Sequence, residues 1–307
     1  MMQSLVFDPV PITSARQESY LRSLRRHFPF VYARTLTHTA FGRPVRALQL
    51  GAGAYKVLVA AGHHANESIT SCAVWRFLWE YCAAFVCGGR IAGHDARALY
   101  DRSMLYLVPL VDPDGADLAA GTCAEDSPEY RAAASIAADY PHIPFPSGWK
   151  ANLAGVDLNL NYPTRWALAR KIKQEQGIAS PAPRDFAGFS PLDQPETAAL
   201  AAFTACVHPD LMLALHTQGS VIYPGPAETA PPGSDALARA FSEVSGYPVE
   251  PVPSESANAG FKDWFLDRFR RPAFTIELGL GENPLPMTHL PAISRTLTGI
   301  LAAALAF

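Results

Sequence analysis

The sequence predicts a single-domain α/β protein with a mixed, mostly parallel twisted sheet and helices on both faces. Three observations predict it. Short apolar runs closed by turn residues alternate with longer helical stretches, the order that builds an α/β sheet. No repeat, low-complexity segment or composition shift divides the 307 residues. Apolar residues make up 49% of the chain and charged residues 17%, against roughly 25% charged in an average globular protein. A large core under a modest surface follows. A chain of this size buries roughly 75% of the surface its unfolded form exposes, so it needs no disulfide staples.

In chain order, residues 45–50 and 56–61 read as adjacent strands joined by a turn at Gly51–Gly53. Residues 67–87 read as a helix closed by Gly88 and Gly89. Residues 104–111 form a short apolar run, read as a buried strand and ended by Asp112-Pro113-Asp114-Gly115, a strong turn signal. From Gly115 to about Pro195 the chain is rich in Pro, Gly and aromatics with short helical patches, and loops this long are usually functional. Residues 193–207 predict a helix with Pro195 in its first turn, where proline is tolerated. Residues 211–215 are a buried strand delivering His216. Residues 234–245 and 261–269 read as helices, 273–278 as a buried strand, and 291–306 as a closing helix.

Charge and composition narrow the partners. Net charge is −3 with no Lys/Arg cluster, which argues against nucleic acid. The first residues lack a basic segment followed by an apolar run. The most apolar helical stretch, residues 69–86, carries Arg76 and Glu80 and is short for a membrane span. A cytoplasmic protein is expected. Cys72, Cys82, Cys87, Cys123 and Cys206 form no CxxC pair and read as buried free thiols in a reducing compartment.

The chemistry concentrates at strand ends, where open α/β sheets bind ligands. In Gly62-His63-His64-Ala65-Asn66-Glu67, His64 and Glu67 have the i, i+3 spacing that converges on one metal ion, and His216 supplies a third ligand. Two neutral imidazoles and one carboxylate leave a zinc ion net positive with an open position, which acidifies water toward a pKa of about 7 and polarises an amide carbonyl. His63 competes with His64, but the spacing to Glu67 favours His64. His27, His38, His94, His142, His208 and His289 lack such a setting. Glu277 closes an apolar strand, where an unpaired charge is costly unless it meets a metal or shifts its pKa. Beside acidified water it serves as general base, then passes the proton to the leaving amine.

These residues, in this order, resemble the zinc metallocarboxypeptidases: HxxE, a distant His, and a Glu near the C-terminus. Asn152 and Gly155-Val156-Asp157-Leu158-Asn159 resemble that family's substrate-clamp segment. Asp112–Gly115 resembles its NPDG turn, and Asp263-Trp264 the end of its specificity loop. The closer resemblance is to the γ-D-glutamyl-L-diamino-acid endopeptidase I branch, carried by IPFPSGWKANLAGVDLNLNYP (143–163), PAPRDFAGFSPLDQPE (181–196), HTQGSVIYPG (216–225) and AGFKDWFLDRFRRPAFTIELGLGENPLP (259–286). The resemblance runs from about residue 35 to the end. It implies an N-terminal extension, residues 1–34, packed on a catalytic domain of residues 35–307.

Departures refine what the resemblance implies. Family members clamp a terminal carboxylate with an Asn-Arg pair; here Asn159 is followed by Leu160. Leucine cannot replace a bidentate guanidinium, so an internal or branched bond suits better than an ordinary C-terminus. Lys150 stands closest to the arginine that stabilises the oxyanion in the family. Glu255 occupies the usual phenol position. Lys262 falls where the family reads the substrate side chain, and Arg184 is a second candidate for a substrate carboxylate. The expectation is one Zn2+ ion, a small muropeptide substrate, and hydrolysis of the γ-D-glutamyl–meso-diaminopimelate amide. A metallocarboxypeptidase of altered specificity, a zinc deacylase of N-acyl amino acids, and a non-catalytic muropeptide binder are the alternatives.

Overall fold

A computed structural model describes residues 9–225, 230–253 and 258–307. In chain order the elements are α1 (Ser14–His27), β1 (Tyr32–His38), β2 (Pro44–Gly51), β3 (Tyr55–Ala61), α2 (Ser68–Cys87), β4 (Arg90–Ile91), β5 (His94–Asp95), α3 (Ala96–Arg102) and β6 (Ser103–Val108). There follow α4 (Pro113–Ala119), α5 (Pro128–Ala137), α6 (Trp166–Glu175), α7 (Pro195–Val207), β7 (Leu211–His216), β8 (Val221–Tyr223), α8 (Ser234–Ser245), α9 (Phe261–Phe269), β9 (Ala273–Glu277) and α10 (Leu290–Ala306).

The main sheet has seven strands in the order β1-β2-β6-β3-β7-β9-β8. Strands β6, β3, β7 and β9 are mutually parallel. The β1–β2, β2–β6 and β8–β9 pairs are antiparallel. Side chains alternate between two faces, as a pleated strand requires. From β3 and β7, Val57, Val59, Ala61, Leu211, Leu213 and Leu215 join the core formed with α1, α2, α8 and α10. Leu58, Ala60, Met212 and Ala214 join the opposite core, formed with α7 and α9. Burial on both faces explains why the central strands read as continuous apolar runs. Apolar except for the partly exposed Arg76–Glu80 pair, α2 is buried along most of its length, and Gly88 ends it in the left-handed conformation at φ 62°.

The structure corrects several readings. Strands β2 and β3 are consecutive in sequence but not paired; β6 lies between them. The Gly51–Gly53 connection crosses the start of β6 so closely that a Cβ on Gly53 would sit 1.8 Å from Arg102 backbone atoms. The Asp112-Pro113-Asp114-Gly115 signal opens a helix instead of a free turn: the Asp112 side chain accepts from Gly115 N–H at 2.9 Å, with Pro113 in the first turn of α4. Asx caps and Pro serve turns and helix starts alike, and the residues that follow decide. All five cysteines are free, but only Cys72 and Cys82 are buried; Cys87 and Cys206 are exposed and Cys123 is intermediate.

Candidate metal centre and active site

The parallel registers Ala61↔Leu215 and His216↔Glu277 bring the carboxyl ends of β3, β7 and β9 side by side. Beyond β3 the chain turns at Gly62, φ 66°, where a Cβ would lie 2.7 Å from Leu110 Cδ1 and 2.8 Å from Ser71 Oγ. A short 3-10 turn, Ala65–Glu67, then aims Glu67 back at His64. At the end of β7, His216 leads into a cis peptide bond between Thr217 and Gln218.

Here His64, Glu67 and His216 converge, all buried. His64 Nδ1 lies 2.9 Å from Glu67 Oε1, His216 Nδ1 lies 3.0 Å from Glu67 Oε2, and the two Nδ1 atoms are 3.0 Å apart. Asp157 Oδ1 is 3.0 Å from His64 Nε2 and takes that N–H, which leaves the Nδ1 lone pair facing inward. Thr217 N–H donates to Glu67 Oε2 at 3.2 Å. Two facing imidazole nitrogens and a carboxylate at such spacing have too few hydrogens to satisfy one another. A cation satisfies all three, and this set with one position left open suits a catalytic zinc site.

The electrostatics agree. Burial pushes Glu67 up, but His64 and His216 outweigh it and hold its pKa well below the usual carboxylate range. Burial disfavours protonated His64, yet Glu67 and Asp157 more than offset this and raise it. Burial lowers His216. Asp157 is held below the usual range by His64 and Lys150 against its own desolvation. Burial, with the nearby Glu67 charge, raises Glu277 to about 8.

Glu277 and Lys150 share the metal cavity with His64, Glu67 and His216. Lys150 Nζ is 4.0 Å from Glu67 Oε1, with 21% of the side chain exposed. Burial disfavours its charge, but Asp157 and Glu67 outweigh this and raise its pKa. The remaining candidates divide between two adjoining cavities. Asn159, Lys262 and Glu277 line one, together with Gln218, Tyr223 and Asp263. Arg184 and Lys150 line the other, with Asn66 and Gln218. Asn159 Oδ1 accepts from Phe261 N–H at 3.0 Å, which turns its amide N–H2 away from α9. Arg184 pairs with Asp185 at 3.1 Å. Leu160 lines the metal cavity beside Asn159. Asn152, by contrast, braces its own loop, accepting from Ala154 and Val156 N–H.

His63 points away from the convergence. Its Nε2 lies 3.1 Å from the Tyr162 hydroxyl, and its ring stacks on His216 with centroids 5.8 Å apart. Glu255 lies outside the described residues. In the sequence Asp157 stands out only as part of the segment 155–159; in the fold it is the carboxylate partner a metal-binding histidine needs. Tyr223 lines the Glu277 cavity too, and its phenol is raised by burial and by Glu277. Nothing in the local sequence of β8 marks it. Among the described residues, no helix is long and apolar enough to cross a membrane.

A family model described as zinc carboxypeptidase matches residues 17–297. The chain is 38% identical over 286 residues to gamma-D-glutamyl-L-diamino acid endopeptidase 1 of Lysinibacillus sphaericus, covering 93% of this chain and 70% of that protein. Among solved structures, bovine thrombin-activatable fibrinolysis inhibitor in complex with tick carboxypeptidase inhibitor superposes with a TM-score of 0.72 at 17% identity, covering 97% of each chain. The murein-tripeptide amidase MpaA from Escherichia coli O157 gives 0.54 at 18% identity over 89% of each chain. At such identities the likeness is one of fold. The chain belongs to the zinc carboxypeptidase family and is a metallopeptidase.

Proposed function

We propose that this member of the zinc carboxypeptidase family hydrolyses the γ-D-glutamyl–meso-diaminopimelate amide of peptidoglycan stem peptides. The observation that carries the reading is the placement of cations about Glu277. Lys262 lines a cavity with Glu277, Lys150 shares the metal cavity with Glu277, and Arg184 joins Lys150 in the cavity next to it. That amide has carboxylates on both sides of the scissile bond, whereas an ordinary peptide C-terminus has one. The similarity to an enzyme named as a γ-D-glutamyl-L-diamino acid endopeptidase supports it, and so does Leu160, which leaves Asn159 without a guanidinium partner in the next position.

His64, Glu67 and His216 would hold the zinc ion, with Asp157 fixing the His64 tautomer. Bound there, zinc polarises an amide carbonyl and acidifies water. Glu277 accepts the proton of the attacking water and delivers it to the leaving amine. Lys150 supplies positive charge where the carbonyl oxygen becomes anionic. Because Glu277 serves the leaving amine, the cavity it lines with Asn159 and Lys262 receives the diamino acid. The cavity of Lys150 and Arg184 receives the acyl side, with the free α-carboxylate of D-glutamate. The five free thiols favour a reducing compartment and hence cytoplasmic muropeptides; cell fractionation checks this.

The test is cleavage of L-Ala-γ-D-Glu-meso-diaminopimelate and of C-terminal hippuryl peptides by zinc-loaded protein. Release of diaminopimelate is expected. Turnover of the hippuryl substrates alone overturns the reading.

A further inference from the structure

The chain that follows Glu277 is tied down by one side chain. Gly279, at φ 77°, and Gly281, at φ 133°, lead it out of β9. The Gly279 carbonyl accepts from Gly219 and Ser220 N–H at 2.7 and 3.0 Å, and Leu285 packs into the core. Among the described residues, Asn283 makes both of the hydrogen bonds formed by residues 280–285. Its Nδ2–H donates to the Thr217 carbonyl at 2.9 Å, and its Oδ1 accepts from Thr217 Oγ1–H at 2.7 Å. A carbonyl can only accept, so the amide nitrogen must face it, and the two bonds fix the amide in place and in orientation.

Thr217 stands at a junction. It follows His216 in the chain, and its N–H donates to Glu67 Oε2 at 3.2 Å. Leu278 N–H, next to Glu277, donates to the His216 carbonyl at 2.8 Å. Holding Thr217 therefore holds two of the three metal ligands, one through the covalent chain and one through a hydrogen bond. Thr217 is buried, where such bonds are strong and their loss leaves polar groups unpaired. Asn283 borders the cavity of Lys150 and Arg184, but its amide is committed to Thr217.

We infer that Asn283 is a positioning residue: through Thr217 it fixes Glu67 and His216 relative to the loop that continues from Glu277. This rests on reading the first two as metal ligands and Glu277 as the base. Partners that orient a metal ligand act on metal affinity and on turnover. Asn283 should therefore govern both, and leave KM nearly alone.

Zinc affinity is read by chelator competition, and kcat and KM are read with whichever of the γ-D-glutamyl tripeptide and the hippuryl peptides the wild type cleaves. Asn283→Ala is expected to weaken zinc binding and lower kcat by about tenfold each, with KM within about twofold of wild type. Thr217→Val, which removes the hydroxyl and keeps the shape, should lower both in the same direction, while Thr217→Ser restores them. The double variant Thr217→Val/Asn283→Ala should be no worse than Asn283→Ala alone, because both changes open one clasp. Thr217→Val decides the matter even if Asn283→Ala fails to fold. Wild-type zinc affinity and kcat in either variant overturn the inference, as do losses that multiply in the double variant. A raised KM with zinc affinity and kcat intact also overturns it, since Asn283 would then be a substrate contact. A wild type that cleaves neither substrate removes the proposed reaction and leaves zinc affinity to decide.

Discussion

Replacing Glu196 by Gln should stabilise the protein, and by an amount that grows with pH. Glu196 stands in the first turn of α7, is 1% exposed, and its Oε2 has no hydrogen-bond partner among the described residues. Burial, with a smaller contribution from Asp114, raises it to about 7. A carboxyl that keeps its proton to about 7 instead of 4.5 represents about 3 kcal/mol of differential stability. The folded state binds the proton more tightly than the unfolded chain, so stability is full below pH 4.5, falls as pH rises to about 7 and stays low above it. Gln keeps the shape and never ionises. Urea denaturation of zinc-loaded wild type and Glu196→Gln at pH 5 and pH 8 isolates the effect, because the metal ligands titrate identically in both. The variant should gain about 2 to 3 kcal/mol more at pH 8 than at pH 5. An equal difference at the two pH values, or a variant weaker at pH 8, would refute the reasoning.

Glu277→Gln should lower kcat on the γ-D-glutamyl tripeptide by about 10² to 10⁴ while zinc content, read by atomic absorption, stays at wild type; a loss under tenfold rules out the base. Asp157→Asn should weaken zinc binding about 10- to 100-fold, because His64 Nε2–H loses its charged acceptor and with it the carboxylate that fixes the ring and raises its basicity; unchanged affinity in a chelator competition would contradict this. Leu213→Ala, at a fully buried position of central β7, should cost about 2 to 5 kcal/mol in urea denaturation. A cost under 1 kcal/mol would mean that this stretch of the core collapses to fill the gap.

The central strands and most helices were legible because their periodicity is local. β3, β7 and β9 are apolar runs of fitting length, and a polar residue just beyond or ending such a run lies at the sheet's carboxyl edge. That is why His64, Glu67, His216 and Glu277 were read as neighbours although more than two hundred residues span them. The segments 14–27 and 32–38 carried no expectation of helix and strand. Tyr32–His38 is an edge strand of half-exposed residues, and Ser14–His27 buries little besides Gln17, Leu21 and Leu24, so neither has a strong apolar signature.

Chain-distant geometry is a different matter. Strand order depends on which edge a later strand finds, so the insertion of β6 between β2 and β3 has no signal within either strand. The Asp-Pro-Asp-Gly segment serves a turn or a helix start equally, and packing around Asp112 selects the helix. Exposure of Cys87 and Cys206 depends on which helix face meets solvent. The chemistry of the site, its donor set and its unusual cations, is written in residue types and short spacings, since those are covalent facts. The division of Lys262 from Arg184 into separate cavities, and the clasp of Asn283 on Thr217, arise from side chains meeting across the fold, where contacts between distant segments set the geometry.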